Sequence, residues 1–408
     1  MTDTLHDLLH ASVADADMPD VADAAWRSGG RARRRRAAAT VAGVACVALV
    51  VGGLVWAADQ EGGAHRVAPV HQPTPSSDPG PAPGGNRPDG SYRGTSVWWA
   101  PSVAQESALA YTSSPFPTTI DLSAPESGLT GDPIGRGVAA FAVYGPSGAL
   151  ESGRVLGSDG LLRTVDLTPA GPAANSAPVL PMRDPEGNLR VRAGASMLSP
   201  TGEYLMFPQS HSIRVLTLAD GRWSTIETGR AETWDATWTE DGRIVLWDPA
   251  HPAAGAPVYG VNGRRIADPS ATDDLRPRWN ADPYGLPRRS PRGFLAQSYT
   301  AGPDVPQPPR LHLSPGQSDW IGVAAAPDAI LVLPQEASRQ KQCCQVAGWL
   351  GDDVVFESRS SEGLRILAWQ VGTGHFWQVS QVVGWTPGME SVVSSYARLP
   401  LPGVDAAS

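Results

Sequence analysis

From Ser96 almost to the C-terminus, apolar runs of roughly four to seven residues are broken about every 8 to 12 positions by Gly, Pro, Asn or Asp. No apolar stripe at helical spacing interrupts that rhythm, so the chain can fold there only as short antiparallel strands joined by tight turns. The stretch from Ala195 to Thr228 reads as four strands, with turns at Thr201-Gly202 and Asp220-Gly221 and a polar turn between them. Thr233 to Ile266 repeats the order, turning at Asp241-Gly242 and Asn262-Gly263, and a third copy from Gln345 to Ser380 turns at Asp352-Asp353, Glu362-Gly363 and Thr373-Gly374.

Units of this length recur because a four-stranded sheet cannot bury both faces unless it stacks on neighbours, which is the logic of a radial repeat. Val138 to Thr168, with its turn at Asp159-Gly160, supplies another unit, and Trp98–Leu122 and Arg276–Leu333 hold further strand material split by proline-rich insertions. About 310 residues at about 45 per unit predict an all-β propeller of six blades, with seven as the alternative, over residues 95–400. Closure removes exposed sheet edges. The final strand, Ser391 to Leu399, is therefore expected to pair with the start of the domain, near Val97 to Ala110.

Ahead of this domain stands an uncharged run of 22 residues, Ala37 to Ala58, directly behind Arg31, Arg33, Arg34, Arg35 and Arg36. At about 1.5 Å per residue a helix of that length crosses a hydrocarbon core. Arginines stay on the cytoplasmic side, so residues 1–36 form a short cytoplasmic tail and the C-terminal domain lies outside. A removable signal peptide, with Val55-Trp56-Ala57 near the cleavage site, is the rival; the long leader and long apolar run favour a retained anchor. Cys46 packs within the span. In the tail, Thr4 and Asp7 cap a short amphipathic helix carrying Leu5, Leu8, Leu9 and Val13 on one face, a docking segment for a cytoplasmic partner or a surface-lying tail. Residues 59–94, dense in Pro, Gly and Ser, read as a linker. The C-terminal tail is 401–408.

Residues 1–58 balance six Asp against six Arg, so the formal charge of −9 belongs to the outer segment and argues against nucleic acid and anionic lipid as its partners. The partners expected are a protein, small molecule or glycan outside and the bilayer around the span. Lys341 is the only lysine among abundant Ala, Gly, Pro and Arg, the usage of a GC-rich, actinobacterium-like genome. No G-x-S-x-G elbow, H-E-x-x-H, P-loop or dinucleotide fingerprint occurs, so no catalytic, cofactor or metal residues are assigned and no cofactor is expected. His211, His312 and His375 could meet only if distant loops converge. Asp352-Asp353 suggests a turn rather than a calcium loop. Trp98, Trp99, Trp234, Trp238, Trp247, Trp349, Trp369, Trp377 and Trp385 suit either a sugar-stacking platform or wedges between sheets; their recurrence at equivalent positions favours wedges.

The hairpins LSPTGEYLMF, from Leu198, and WTEDGRIVLW, from Trp238, resemble the S-P-D-G hairpins of TolB-type and WD-repeat-like propellers. Trp234-Asp235 and Trp247-Asp248 lack the Gly-His pair of true WD repeats, so the likeness is to the TolB type. The layout of tail, arginines, span, linker and propeller also resembles actinobacterial membrane proteins thought to sit beside extracytoplasmic-function sigma factors. The TolB-type resemblance implies the fold alone; the span, the outer propeller and the lack of any catalytic constellation make the expectation a membrane-anchored extracytoplasmic binding or sensing module. The alternatives are a transmembrane regulator holding a sigma factor, which lacks here the H-x-x-x-C-x-x-C signature, and a propeller hydrolase or lyase.

Cys343 and Cys344 form the one unusual pair outside the span. Adjacent Cα atoms lie about 3.8 Å apart, below the usual disulfide range of about 4.4 to 6.8 Å, so a bridge between them is strained and reducible. The expectation is a reduced structural pair, with a redox-active vicinal disulfide as the alternative. A soft-metal site would need a third ligand for which the sequence offers no candidate.

Overall fold

A computed structural model of the protein describes residues 85–399, apart from 125–126, 145–149, 168–178, 180–195, 230–232, 247–255, 267–282, 301–318, 326, 335, 341–342 and 385–391. The tail, the arginine cluster and the apolar run at 37–58 lie outside the described residues. Among the described residues no helix is long and apolar enough to cross a membrane.

The chain begins with a belt of edge strands: β1 (Gly90–Tyr92), β2 (Thr95–Trp99), a single helical turn α1 (Val103–Glu106), β3 (Thr119–Asp121) and β4 (Ser127–Gly128). β1 falls inside the stretch expected to be linker. The meanders follow. Sheet 1 contains β5 (Gly137–Tyr144), β6 (Leu150–Gly157) and β7 (Leu162–Val165). Sheet 2 contains β8 (Tyr204–Gln209), β9 (Ser212–Thr217) and β10 (Trp223–Glu227), with Leu198 pairing to Leu205 on its inner side. In sheet 3 the strands are short: β11 (Ala236–Trp238), β12 (Ile244–Leu246), β13 (Val258–Tyr259) and β14 (Arg265–Ile266). Sheet 4 runs through β15 (Pro283–Arg289), β16 (Leu295–Tyr299), β17 (Asp319–Ala324) and β18 (Ala329–Leu333). Sheet 5 runs through β19 (Val346–Leu350), β20 (Asp353–Ser360), β21 (Gly363–Gln370) and β22 (Phe376–Val383), and β23 (Val392–Tyr396) ends the chain.

The hairpins explain the repeat. In sheets 2, 3 and 4 the innermost segment ends on a hydroxyl residue, and a glycine three positions on returns the chain through positive φ: Ser199 with Gly202, Thr239 with Gly242, Ser290 with Gly293. Each hydroxyl oxygen accepts an amide from the returning strand, Tyr204 to Ser199 at 3.1 Å, Arg243 to Thr239 at 3.0 Å and Phe294 to Ser290 at 3.0 Å. The side chain thus stands in for a backbone acceptor and fixes the register.

β23 pairs antiparallel with β5, Val392 opposite Val143 and Tyr396 opposite Ala139. Closure is therefore by the C-terminal strand as expected, but its partner is Gly137–Tyr144 rather than the region near Val97–Ala110. That region is occupied elsewhere: β2 adds in parallel to the outer edge of β18, β3 to β22 and β4 to β7. The belt so covers the outer edges of sheets 4, 5 and 1 in turn.

Contacts link the sheets in sequence and back to the start. Gly137 donates its amide to Gly202 O at 2.7 Å, the Trp238 indole donates to Met197 O at 3.4 Å, Arg289 faces Glu240 at 3.6 Å, the Trp349 indole donates to Arg288 O at 2.9 Å, and Gln345 donates to Ser394 O at 3.0 Å. The described residues thus form an all-β, propeller-like ring of five sheets, not the six expected by dividing length by unit size. The division counted the belt and the insertions as blade material, whereas the belt extends existing sheets. Gly202 sits at the seam between sheets 1 and 2, where an added Cβ would lie 2.3 Å from Gly137 O and φ is already +73°.

The core follows the wedge logic. Trp238, Trp349 and Trp369 are wholly buried, and the indoles of Trp238 and Trp349, each at the end of an innermost strand, bond to the innermost segment of the preceding sheet. That is the packing role expected for these tryptophans; Trp247 and Trp385 lie outside the described residues.

Candidate functional site: an arginine-lined axial recess

Because the meanders all begin at the ring centre and run the same way, their innermost segments bring one end to a common place. Pro200 from sheet 2, Trp238 and Glu240 from sheet 3, Arg288 and Arg289 from sheet 4, Trp349 from sheet 5 and Arg398, just past β23, line one recess. Its volume is about 20 Å³, room for a water-sized group such as one carboxylate oxygen or its hydration water.

Three guanidinium groups here face one carboxylate. Glu240 lies 3.6 Å from Arg289 and 3.9 Å from Arg398. Arg288 is buried; one terminal nitrogen donates to Tyr396 O at 2.8 Å, while its Nε–H meets no acceptor in the protein. Burial, opposed by Glu240, lowers its pKa from 12.5 to about 10, which still leaves it charged at neutral pH. A buried cation with an unmet donor, beside two more arginines in a chain of net charge −9, is a local inversion of the surface electrostatics. The arrangement can grip an anionic group. The described lining residues include no Ser, Cys or His to act as nucleophile or base.

A second buried charge cluster ties the belt to sheet 5. Ser102 and Gln105 cap α1 reciprocally, and Glu106 points inward with no exposure. Its Oε1 accepts from Arg339 at 2.9 Å and from Ser358 at 2.7 Å, while Oε2 faces Arg365 at 3.7 Å. Arg339 also donates to the carbonyls of Pro101 and Pro334 and meets Glu336. Burial pushes the Glu106 carboxyl up and Arg339 pulls it back. Beside the closing strand, Glu357 accepts from Tyr396 at 2.7 Å and from Ser394, and pairs with Arg359. Burial first, and Glu357 next, raise the Tyr396 hydroxyl well above its ordinary value.

The structure separates most residues singled out from the sequence. His211 lies in the β8–β9 turn and His375 in the β21–β22 turn. Meanders alternate ends at successive turns, so these two face opposite ends of the ring, and neither lines the recess. His375 stacks on Trp377 with ring centroids 6.5 Å apart; His312 lies outside the described residues. Asp352 pairs with Arg292 at 2.9 Å as part of a turn, and Asp353 beside it is raised to about 6, by burial first and Asp352 second. The arginines of the topology signal, Arg31 to Arg36, lie outside the described residues. The residues that sequence reading missed are Arg288, Arg289, Arg398 and Glu240; the one available signal was their shared place beside the repeated hairpins, at the ends of innermost strands.

Cys343 and Cys344 are joined by a disulfide, with Cα atoms 3.7 Å apart, rather than standing as a reduced pair. Both precede β19, which begins at Val346, so the alternation of a strand, which sends neighbouring side chains to opposite faces, does not apply to them. Both are buried in the layer between sheets 4 and 5.

No protein family matches the chain, and neither does any curated protein. Among solved structures it is similar to TolB from Acinetobacter baumannii, at 14% identity over 64% of this chain and 67% of that one, with a TM-score of 0.28. A TolB-type structure from Agrobacterium tumefaciens matches at 13% identity over 64% of this chain and 98% of that one, TM-score 0.22. The extracellular domain of a hybrid two-component system from B. thetaiotaomicron matches at 13% identity over 62% of this chain and 30% of that one, TM-score 0.25.

Proposed function

We propose that this chain is a membrane-anchored, extracytoplasmic binding module whose ligand presents a carboxylate to the axial recess. The observation that carries the reading is Arg288, a buried guanidinium whose Nε–H has no partner, in the wall of a recess where two further arginines converge. The uncharged run at 37–58 behind five arginines supports the anchor and its orientation, and the acidic remainder of the outer segment directs anions to the recess rather than to the surface at large. The cytoplasmic tail is short and serves, in this reading, as a docking segment for a protein inside.

The recess is tested by titrating the detergent-solubilised full chain with a short peptide carrying a glutamate, against the same peptide carrying glutamine. The glutamate peptide should bind more tightly, with an affinity that falls with added salt. Equal affinity for both would sink the carboxylate reading. Orientation is tested separately, by adding protease to wall-stripped cells: the C-terminal domain should be digested, and a protected C-terminus would overturn the topology.

A further inference from the structure

The third ligand that the sequence could not supply for the cysteine pair is brought in by the fold. β17 starts at Asp319, and its carboxylate oxygen and the sulfurs of Cys343 and Cys344 all lie within 4.8 Å of one another. We infer that, once the disulfide is reduced, Cys343, Cys344 and Asp319 hold a thiophilic divalent cation of the zinc class.

The donor set selects the ion. Two thiolates disfavour magnesium and calcium, which want oxygen alone, and suit zinc or cadmium, with a carboxylate completing three positions and water a fourth. In a tetrahedral site with ligands at about 2.0 to 2.3 Å, neighbouring donors stand roughly 3.5 Å apart, so reduction must let the two sulfurs part from bonding distance, while the Asp319 oxygen already lies within 4.8 Å of both. Supporting contacts hold them in place. The Cys343 amide donates to Asp319 Oδ2 at 3.1 Å, and Ser298 Oγ donates to Cys344 O at 2.7 Å while accepting the Val346 amide at 3.0 Å. The sulfurs are buried but Asp319 is partly exposed, which gives an ion its way in.

The two states exclude each other. A dithiol reductant delivers two electrons and two protons to the S–S bond and leaves as its own disulfide; the cation then displaces both thiol protons and forms two metal–sulfur bonds. Reoxidation of the pair by a disulfide reverses the sequence and releases the ion.

The experiment uses the full chain with Cys46→Ser, so that only this pair reports. Reduced protein, with two thiols counted by alkylation of a parallel sample, is titrated with cadmium and followed by the thiolate-to-cadmium charge-transfer absorption. One cadmium per chain should bind when reduced and none when oxidised. Asp319→Asn should weaken binding by at least about tenfold, the low end for losing even a supporting group of a metal site. Asp319→His, which keeps a donor in place, should retain it. Absence of the band in reduced protein with both thiols free overturns the inference, as does undiminished binding by Asp319→Asn.

Discussion

The recess around Arg288 and the cluster around Glu106 are both buried charge centres in one ring, yet their arrangement differs. Glu106 is surrounded by Arg339, Arg365 and Ser358, and Arg339 is in turn held by two carbonyls and Glu336, so its charge is matched by cations on the spot even though Oε2 makes no hydrogen bond and only faces Arg365 at 3.7 Å. Arg288 has one carbonyl partner, two neighbouring cations that share the single carboxylate of Glu240 with it, and a buried Nε–H that meets no acceptor. Burying charge is costly unless partners surround it. The first centre is thus a fastening between belt and sheet; the second bears an electrostatic cost that a ligand can offset.

The strongest way to break this contrast is to delete residues from 389 onward. That removes Arg398, the acceptor of Arg288 and the whole of β23, while sparing every partner of Glu106. Val392, Tyr396 and Leu399 are buried, and at roughly 1.5 to 3 kcal/mol for each large side chain, with the pairing to β5 lost as well, the deletion should consume most of a typical 5 to 15 kcal/mol stability. Loss of a cooperative thermal transition is expected; unchanged melting would show that the seam does not hold the ring.

Glu106→Ala comes next. It takes the buried carboxylate from Arg339 and Arg365, which keep only Glu336 and Glu362 as counter-charges, and should cost about 3 kcal/mol in denaturant unfolding while leaving affinity for the glutamate peptide unchanged. Arg288→Met is its counterpart: stability should stay within about 1 kcal/mol, since one hydrogen bond is exchanged for apolar contact, yet peptide binding should weaken by about 2 kcal/mol or more. If Arg288→Met destabilised the ring as much as Glu106→Ala, the recess would be another fastening.

The smallest effect concerns Asp353, an acid near a turn with no matched partner charge. Its pKa is raised from 3.8 to about 6, so the folded state holds the proton more tightly than the unfolded one and stability falls as pH rises through that window. Asp353→Asn should flatten the decline between about pH 4 and 6.5 and gain about 1 kcal/mol at neutral pH, by thermal melts across the range.

Much of the ring was legible because its hairpins are local. Ser199, Thr239 and Ser290, each three residues ahead of a glycine, announce a turn that needs no knowledge of the rest of the fold. The partner of β23 was not legible, because Val392 meets Val143 across most of the domain and any edge with matching alternation would have served as well. The belt hid for a similar reason: two- and three-residue strands such as β3 and β4 have too little pattern to be told from loops. The recess was invisible because its arginines look like ordinary polar ends of strands until closure brings them together. Asp319 and the cysteines, far apart in sequence, meet only through the register of β17 and the approach to β19.

The belt also decides how the ring answers a pull on its N-terminal side. A load applied at residue 85 does not arrive at the seam between β23 and β5. It is taken first by the β1–β2 hairpin, then along the length of β2 against β18, where parallel hydrogen bonds must slide together rather than unzip one by one. Beyond that stands the Glu106–Arg339 contact, and beyond it the seating of β3, where Gly384 packs so closely on Asp121 and Ser123 that a methyl group would not fit. Two successive sheets, 4 and 5, thus stand between a pull on the N-terminal side and the closing seam.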